Sequence, residues 1–258
     1  MAYDNVDLKF TYADYEKFIR FAKEIAPICS FADWDHSVAI ILRHDVDFDL
    51  RSAYKLAQVE KKLGVRSSFF IMTTNHYYNP LYPTNSDLLR CMSNCGFEIG
   101  LHFDPSIYRG ITSKELEAKM KFECSILQSI INRPIKSISL HNPSLNGQYP
   151  IFNGYNNTYS KEIFSDDKYM SDSCMDFRGK NPYTFVKKAK DVPLQIVFHP
   201  MHWSENGQDY IEFFSKYLDD FVDYIDNTFR VNRTYKRIIG NTRLKNKIWG
   251  AKNGGTKD

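Results

Sequence analysis

Residues 41–49, with the sequence ILRHDVDFD, decide the fold prediction. An apolar, strand-like run ends here in acidic residues spaced two apart, Asp45, Asp47 and Asp49. Because alternate residues of a strand share a face, the carboxylates of Asp45 and Asp47 should point the same way. Asp49 directly precedes a helical pattern and fits its N-cap better. This strand end therefore predicts a metal ligand beside a general base.

Short apolar runs alternate with helical patterns along the rest of the chain. Strand-like runs lie at 38–43, 67–72, 97–101, 135–140, 168–171 and 194–198, and helical patterns at 50–63, 86–95, 113–131 and 209–229, after a helix that begins at Thr11 and stops at Pro27. This alternation predicts βα units and an α/β fold with a parallel sheet.

Residues that can bind a metal or transfer a proton follow nearly every strand-like run. His102, His141, Asp172 and His199 come directly after the later runs, as Asp45 and Asp47 come after the first. In a parallel barrel the carboxyl ends of the strands open on one face. The sequence therefore predicts a single pocket lined by these side chains.

Composition favours one globular domain in a reducing compartment. The 258 residues are 43% hydrophobic and 25% charged, enough for one large core. Five cysteines without a C-x-x-C pair predict free thiols. The N-terminus lacks the pattern of a secretory signal and no stretch approaches about 18 apolar residues, so we expect a cytoplasmic protein.

Basic charge is concentrated at the C-terminus. The net charge is +3, yet from Arg230 onward nine Lys and Arg residues face one acid, Asp258. We therefore divide the chain into a domain at 1–229 and a basic extension at 230–258. A solvated tail is the simpler interpretation, and contact with a membrane surface or a diphosphate-bearing substrate is the alternative. The aromatic residues of the tail do not alternate with its basic residues in a pattern that suggests nucleic-acid stacking, which argues against nucleic acid.

Three histidines are candidates for metal binding or acid catalysis, although each also has a purely structural interpretation. His102 is a candidate metal ligand. His141 is a candidate third ligand, a substrate contact, or a rim histidine bonded to backbone. His199 ends the most apolar strand and suits a general acid.

Four further residues are candidate substrate contacts. Asp172 and Arg178 are expected to pair, so that the guanidinium steadies a base carboxylate or binds an anionic substrate group. Their alternative is an ordinary ion pair. Asn142 lies in the turn after the fourth run, and Trp203 is expected to form a wall against a sugar face or the core.

Five segments in this order resemble the motifs of the polysaccharide deacetylase family, also known as NodB-homology domains or carbohydrate esterase family 4. They are RHDVDFD at 43–49, EIGLH at 98–102, LHNPS at 140–144, SDS to FR at 171–178, and HPMHW at 199–203. The resemblance covers most of the chain and is closest to divergent members found among bacterial surface-polysaccharide genes. It implies a distorted (β/α) barrel of about seven strands.

The resemblance also implies roles for individual residues. Asp45 would be the catalytic base and His199 the general acid, while Asp47 and His102 would bind a divalent metal, with zinc the first choice. Val46 separates two acids that are adjacent in the usual motif, and Ser106 stands where the family has a second histidine. His141, at the position of a family arginine, is the expected third ligand, with Asp104 as the alternative.

The implied activity is removal of an N-acetyl group from an amino sugar that is free, polymeric, or linked to a nucleotide or lipid. Two alternatives stay open at this point. One is a deformylase or other amidase that acts on a lipid-linked sugar. The other is an inactive barrel that binds glycans through its aromatic loops.

Overall fold

The structure, a computed structural model, describes residues 8–252, and the chain divides after Gly207 into two compact units. The first unit holds the strands, and the second is helical. The boundary expected between residues 229 and 230 stays a prediction. Residues 1–7 of the expected domain and 253–258 of the expected extension, including Lys257 and Asp258, lie outside the described residues.

All strands of the first unit belong to one parallel sheet. They are β1 (Ile28–Cys29), β2 (Ile40–Val46), β3 (Ser68–Ile71), β4 (Glu98–Phe103), β5 (Ser137–Leu140), β6 (Asn156–Asn157), β7 (Tyr169–Ser171) and β8 (Leu194–Phe198). Seven of them follow the order β6-β5-β4-β3-β2-β8-β7, and β1 pairs with the first residues of β2. This curled sheet confirms the expected distorted (β/α) barrel of about seven strands.

Helices connect the strands of the first unit and make up the second. They are α1 (Tyr12–Ile25), α2 (Leu50–Lys62), α3 (Pro83–Asn94), α4 (Ser113–Ile131), α5 (Pro143–Asn146), α6 (Pro182–Val186), α7 (Tyr210–Phe229), α8 (Arg233–Ile239) and α9 (Leu244–Lys252). Thr11 caps α1 and Asp49 caps α2, which confirms both predictions. Within residues 8–252, no helix combines the length and apolarity needed to cross a membrane.

Strand β2 extends three residues beyond the predicted run, to Val46. The extension exists because Asp45 and Val46 continue the parallel ladder against Phe70 and Ile71 of β3. As a result Asp45 lies inside the strand and is only 4% exposed, while Asp47 follows directly after it. The two-residue strands β1 and β6 are too short to show a pattern in the sequence.

His44 lies behind the strand rather than at its rim. Its Nε2 is 2.6 Å from Glu60 Oε1, and that carboxylate also accepts hydrogen bonds from Tyr15 and Ser67. All four side chains are fully buried. This polar cluster joins β2 to α1, α2 and the start of β3. It therefore fixes the position of β2, the strand whose end carries Asp45 and Asp47.

Candidate metal and catalytic centre

Residues from four different strand ends form the candidate site. Asp45 lies in β2 and His102 in β4, while Asp47 follows β2, His141 follows β5 and His199 follows β8. Both β2 carboxylates face one imidazole: His102 Nε2 lies 3.1 Å from Asp47 Oδ1 and 3.8 Å from Asp45 Oδ2. The fold therefore brings together the side chains at these strand ends, as expected.

Three ligand atoms form a nearly equilateral triangle. Asp47 Oδ1 lies 3.1 Å from His102 Nε2 and 3.3 Å from His141 Nδ1, and the two nitrogens are 3.3 Å apart. Zinc bonds of 2.0–2.1 Å in a tetrahedral arrangement require ligand atoms about 3.3 Å apart. Asp47 Oδ1 is also buried without an acceptable hydrogen-bond donor among the described residues. Both observations fit a divalent metal held by these side chains.

Neighbouring groups orient the two imidazoles. His102 Nδ1 lies 3.0 Å from Ser139 Oγ, so a proton on Nδ1 would be donated there and Nε2 would keep its lone pair for a metal. His141 Nε2 lies 2.9 Å from the side-chain amide of Asn142. The amide nitrogen Nδ2 faces this ring nitrogen, so Nδ1 of His141 becomes a ligand atom once the amide turns over and its oxygen accepts the proton of Nε2.

The charges of the triangle are coupled. Burial acts to raise the pKa of Asp47, but His102 and His141 outweigh burial and hold that pKa well below its ordinary value. Burial acts to lower the pKa of His141, but the Asp47 carboxylate outweighs burial and raises it. The carboxylate is therefore ionised at neutral pH, as a metal ligand must be.

Asp45 is fixed by a buried arginine that the sequence interpretation missed. Arg43 donates from Nε to Asp45 Oδ1 at 2.8 Å and from Nη2 to Oδ2 at 2.6 Å, and it is fully buried. Nη1 donates to Gln195 and Nη2 also to Ser139. Burial acts to raise the pKa of Asp45, but Arg43 and His102 outweigh burial and hold it below the ordinary value.

His199 is paired with Asp172 on the opposite side of the site. Asp172 Oδ1 lies 2.6 Å from His199 Nδ1 and also accepts the backbone N–H of that residue. Nε2 of the same ring lies 3.8 Å from Asp47 Oδ2. Burial acts to lower the pKa of His199, but Asp172 outweighs burial and raises the pKa to about 9. The imidazole is therefore protonated at neutral pH.

The expected pairing of Asp172 with Arg178 is wrong. Asp172 is fully buried, and its oxygens serve His199 and the indole N–H of Trp203, which donates to Oδ2 at 3.0 Å. Trp203 is only 1% exposed and packs against Tyr15 and Phe198. Neither residue reaches the cavity wall where a substrate would lie. Asp172 holds the His199 ring directly, and Trp203 in turn holds Asp172.

Asp172, His199 and His202 form a second cluster with ligand-like spacing. The Asp172 carboxylate there already accepts hydrogen bonds at both oxygens. A metal would have to displace those donors, whereas Asp47 Oδ1 has none to lose. Hydrogen-bond satisfaction therefore favours the triangle around Asp47.

Asp104, the alternative third ligand, belongs to a local turn. Its Oδ1 accepts hydrogen bonds from the backbone N–H and the hydroxyl of Ser106, at 2.9 and 2.6 Å. These contacts cap the single turn at Pro105–Ile107. His141 completes the triangle instead.

A cavity of about 220 Å³ opens beside the triangle. It extends over the ends of β5, β6 and β7. Its walls are formed by the site residues together with aromatic and polar side chains, among them Asn142, Tyr149, Tyr159, Phe164, Tyr169, Phe177, Arg178 and Lys180. Of the expected substrate contacts, Asn142 and Arg178 line this cavity.

No family model and no curated protein matches this sequence. The chain is similar to solved structures of carbohydrate esterase family 4. A chitin deacetylase from Colletotrichum lindemuthianum has 15% identity and a TM-score of 0.44, over 72% of this chain and 81% of the other. A peptidoglycan deacetylase from Bacillus subtilis has 16% identity and a TM-score of 0.42, over 70% and 83%.

A solved pseudoenzyme of the same family, from Bacillus anthracis, has 14% identity and a TM-score of 0.42. The match covers 70% of this chain and 60% of that protein. All three solved structures belong to the family that the sequence motifs resemble.

Proposed function

We propose that this chain is a metal-dependent hydrolase that removes an N-acetyl group from an amino sugar. The observation that carries the proposal is the triangle of Asp47, His102 and His141, with a carboxylate and an imidazolium beside it. Asp45 Oδ2 lies 3.8 Å from His102 Nε2, and His199 Nε2 lies 3.8 Å from Asp47 Oδ2, the carboxylate oxygen outside the triangle. A metal ligand set, a base and an acid are the parts that hydrolysis of an unactivated amide requires.

Zinc suits this donor set best. Asp47, His102 and His141 offer one carboxylate oxygen and two imidazole nitrogens, which are common zinc ligands. A zinc ion held there would polarise the acyl carbonyl and lower the pKa of a water molecule to about 7.

The side chains around the triangle divide the proton transfers between them. Asp45, kept ionised and fixed by Arg43, accepts the proton of the attacking water. His199 enters the reaction protonated and donates from Nε2 to the departing nitrogen, because Asp172 holds its Nδ1. The amide C–N bond breaks, and the products are acetate and a free amino sugar.

The proposal extends to the substrate's carrier and to the location of the protein. We place the reaction in surface polysaccharide biosynthesis in the cytoplasm, on a sugar linked to a nucleotide or a lipid. All five cysteines are free, in keeping with a reducing compartment. Eight Lys and Arg residues and no acid lie in residues 230–252, in keeping with contact at an anionic membrane surface.

Metal content and amide hydrolysis together test the proposal. The zinc-loaded protein is incubated with N-acetylated and N-formylated amino sugars, free and as nucleotide and lipid conjugates, and the released acid and amine are measured. We expect one zinc per chain and release of acetate. Preferential release of formate would instead identify a deformylase, and no release from any conjugate would refute a hydrolase.

Three variants separate the roles of the residues. His102→Ala should lose both zinc and activity, whereas Asp45→Asn should keep zinc and lose activity by at least about 100-fold. His36→Ala is the matched control, because this exposed histidine lies outside the site, where it pairs with exposed Glu162 and contacts the ring of Trp34. Full zinc binding without hydrolysis in the wild type would favour an inactive, glycan-binding barrel.

A further inference from the structure

The charged side chains on the cavity wall are paired, with one exception. The pairs are Asp45 with Arg43, Asp47 with His102 and His141, Asp166 with Lys180, and His199 with Asp172. Arg178 also lines the cavity, and its guanidinium makes no hydrogen bond or ion pair within residues 8–252. The wall therefore carries one uncompensated charge, and that charge is positive.

The backbone at Arg178 has a conformation that favours glycine. Its φ is +52°, in the left-handed region that side chains with a Cβ disfavour. The Asp176 side chain stabilises this turn by accepting the Arg178 N–H at 2.8 Å, and Gly179 follows with φ +75°. Because glycine would adopt this turn with less strain, the position points to a use for the arginine side chain.

We propose that Arg178 binds an anionic group of the substrate, a carboxylate or a phosphate. The inference rests on the proposed function and narrows its substrate class to acidic N-acyl amino sugars. A guanidinium offers planar paired donors that match either oxyanion. The rings of Tyr149, Tyr159 and Phe164 on the same wall provide an apolar surface for the sugar. A neutral sugar would leave the positive charge unmatched.

Substrate discrimination measures the role of Arg178. An N-acetylated hexosamine, its 1-phosphate and the corresponding uronic acid are compared as substrates of the zinc-loaded wild type and of Arg178→Gln. We expect the variant to raise KM about 10- to 100-fold for the preferred anionic substrate and to leave kcat and the neutral sugar unchanged. The phosphate and uronic acid arms identify which oxyanion is bound.

Two further variants control for charge and folding. Arg178→Lys should retain part of the preference, and Arg178→Gly should lose it while its melting temperature stays equal or rises, because the backbone strain is relieved. Arg133→Gln is the matched control: this exposed arginine precedes the amino end of β5, at the opposite end of the strands. It should behave like the wild type.

Binding separates this inference from the proposed hydrolysis. Calorimetry with hexosamine 1-phosphate and glucuronate reports the contact even if the protein cleaves neither. Weaker binding of one anion in Arg178→Gln, without turnover in the wild type, would refute the hydrolase and keep the anion site. Equal affinity of wild type and Arg178→Gln for both anions, or an equal loss on the neutral sugar, would overturn the inference.

Discussion

Replacing Arg43 by methionine should strongly destabilise the protein. The guanidinium and the Asp45 carboxylate are both buried and share two hydrogen bonds. Removal of one partner from a buried pair typically costs about 3–5 kcal/mol. Gln195 Oε1, also buried, would lose its arginine donor, which adds about 1 kcal/mol. We therefore expect about 4–6 kcal/mol less unfolding free energy.

Urea denaturation of the single and double variants measures the pair itself. Asp45→Asn should also destabilise the protein, and the double variant with Arg43→Met should lose about 2–4 kcal/mol less than the sum of the single losses. Arg43→Lys, which keeps the charge without the paired donors, serves if the methionine variant does not fold. Effects that add to within about 0.5 kcal/mol would refute the buried pair as a unit.

The stability of the metal-free Arg43→Met variant should depend on pH with a definite sign. In the wild type Asp45 has a lowered pKa, so its stabilisation is complete above the unfolded value of about 3.9 and is lost as pH falls through the folded value. Without Arg43, burial is the largest influence and is opposed only by His102 and His199, so we expect that pKa to rise above the unfolded value of about 3.9. Stabilisation is then lost as pH rises, so the deficit of Arg43→Met should be larger at about pH 8 than at about pH 5.

Three other predictions address the supporting residues. Asp172→Asn should lower the pKa of His199 from about 9 toward its ordinary value and so move the alkaline limb of the activity profile to lower pH; an unmoved limb would exclude His199 as the acid. Ser139→Ala should weaken zinc binding about 10- to 100-fold in calorimetry, because His102 loses its orienting partner; unchanged affinity would contradict this. Asp49→Ala should lower the unfolding free energy by about 0.5–2 kcal/mol through loss of the α2 cap and leave activity intact.

The strand ends could be predicted from local pattern alone. The apolar runs before His102, His141 and His199 carry the strand signal, and parallel topology places their ends together. Spacing along β2 placed Asp45 and Asp47 on one face for the same local reason. These predictions needed no knowledge of which strands are neighbours.

Contacts between distant segments could not be predicted in this way. Arg43 is followed by His44 and Asp45 and looks like the exposed end of a strand. It is fully buried, because Gln195 and Ser139, from two other strands, complete its hydrogen bonds. Proximity in the sequence alone predicts Arg178 as the partner of Asp172. Its actual partners, His199 and Trp203, come from the following strand and turn.

Anomalous diffraction at the zinc edge, from crystals of the zinc-loaded protein, tests the metal centre most directly. We predict one strong peak about 2.0–2.2 Å from Asp47 Oδ1, His102 Nε2 and His141 Nδ1. A peak among Asp172, His199 and His202, or no peak at the triangle of Asp47, His102 and His141, would contradict the metal centre proposed for this fold.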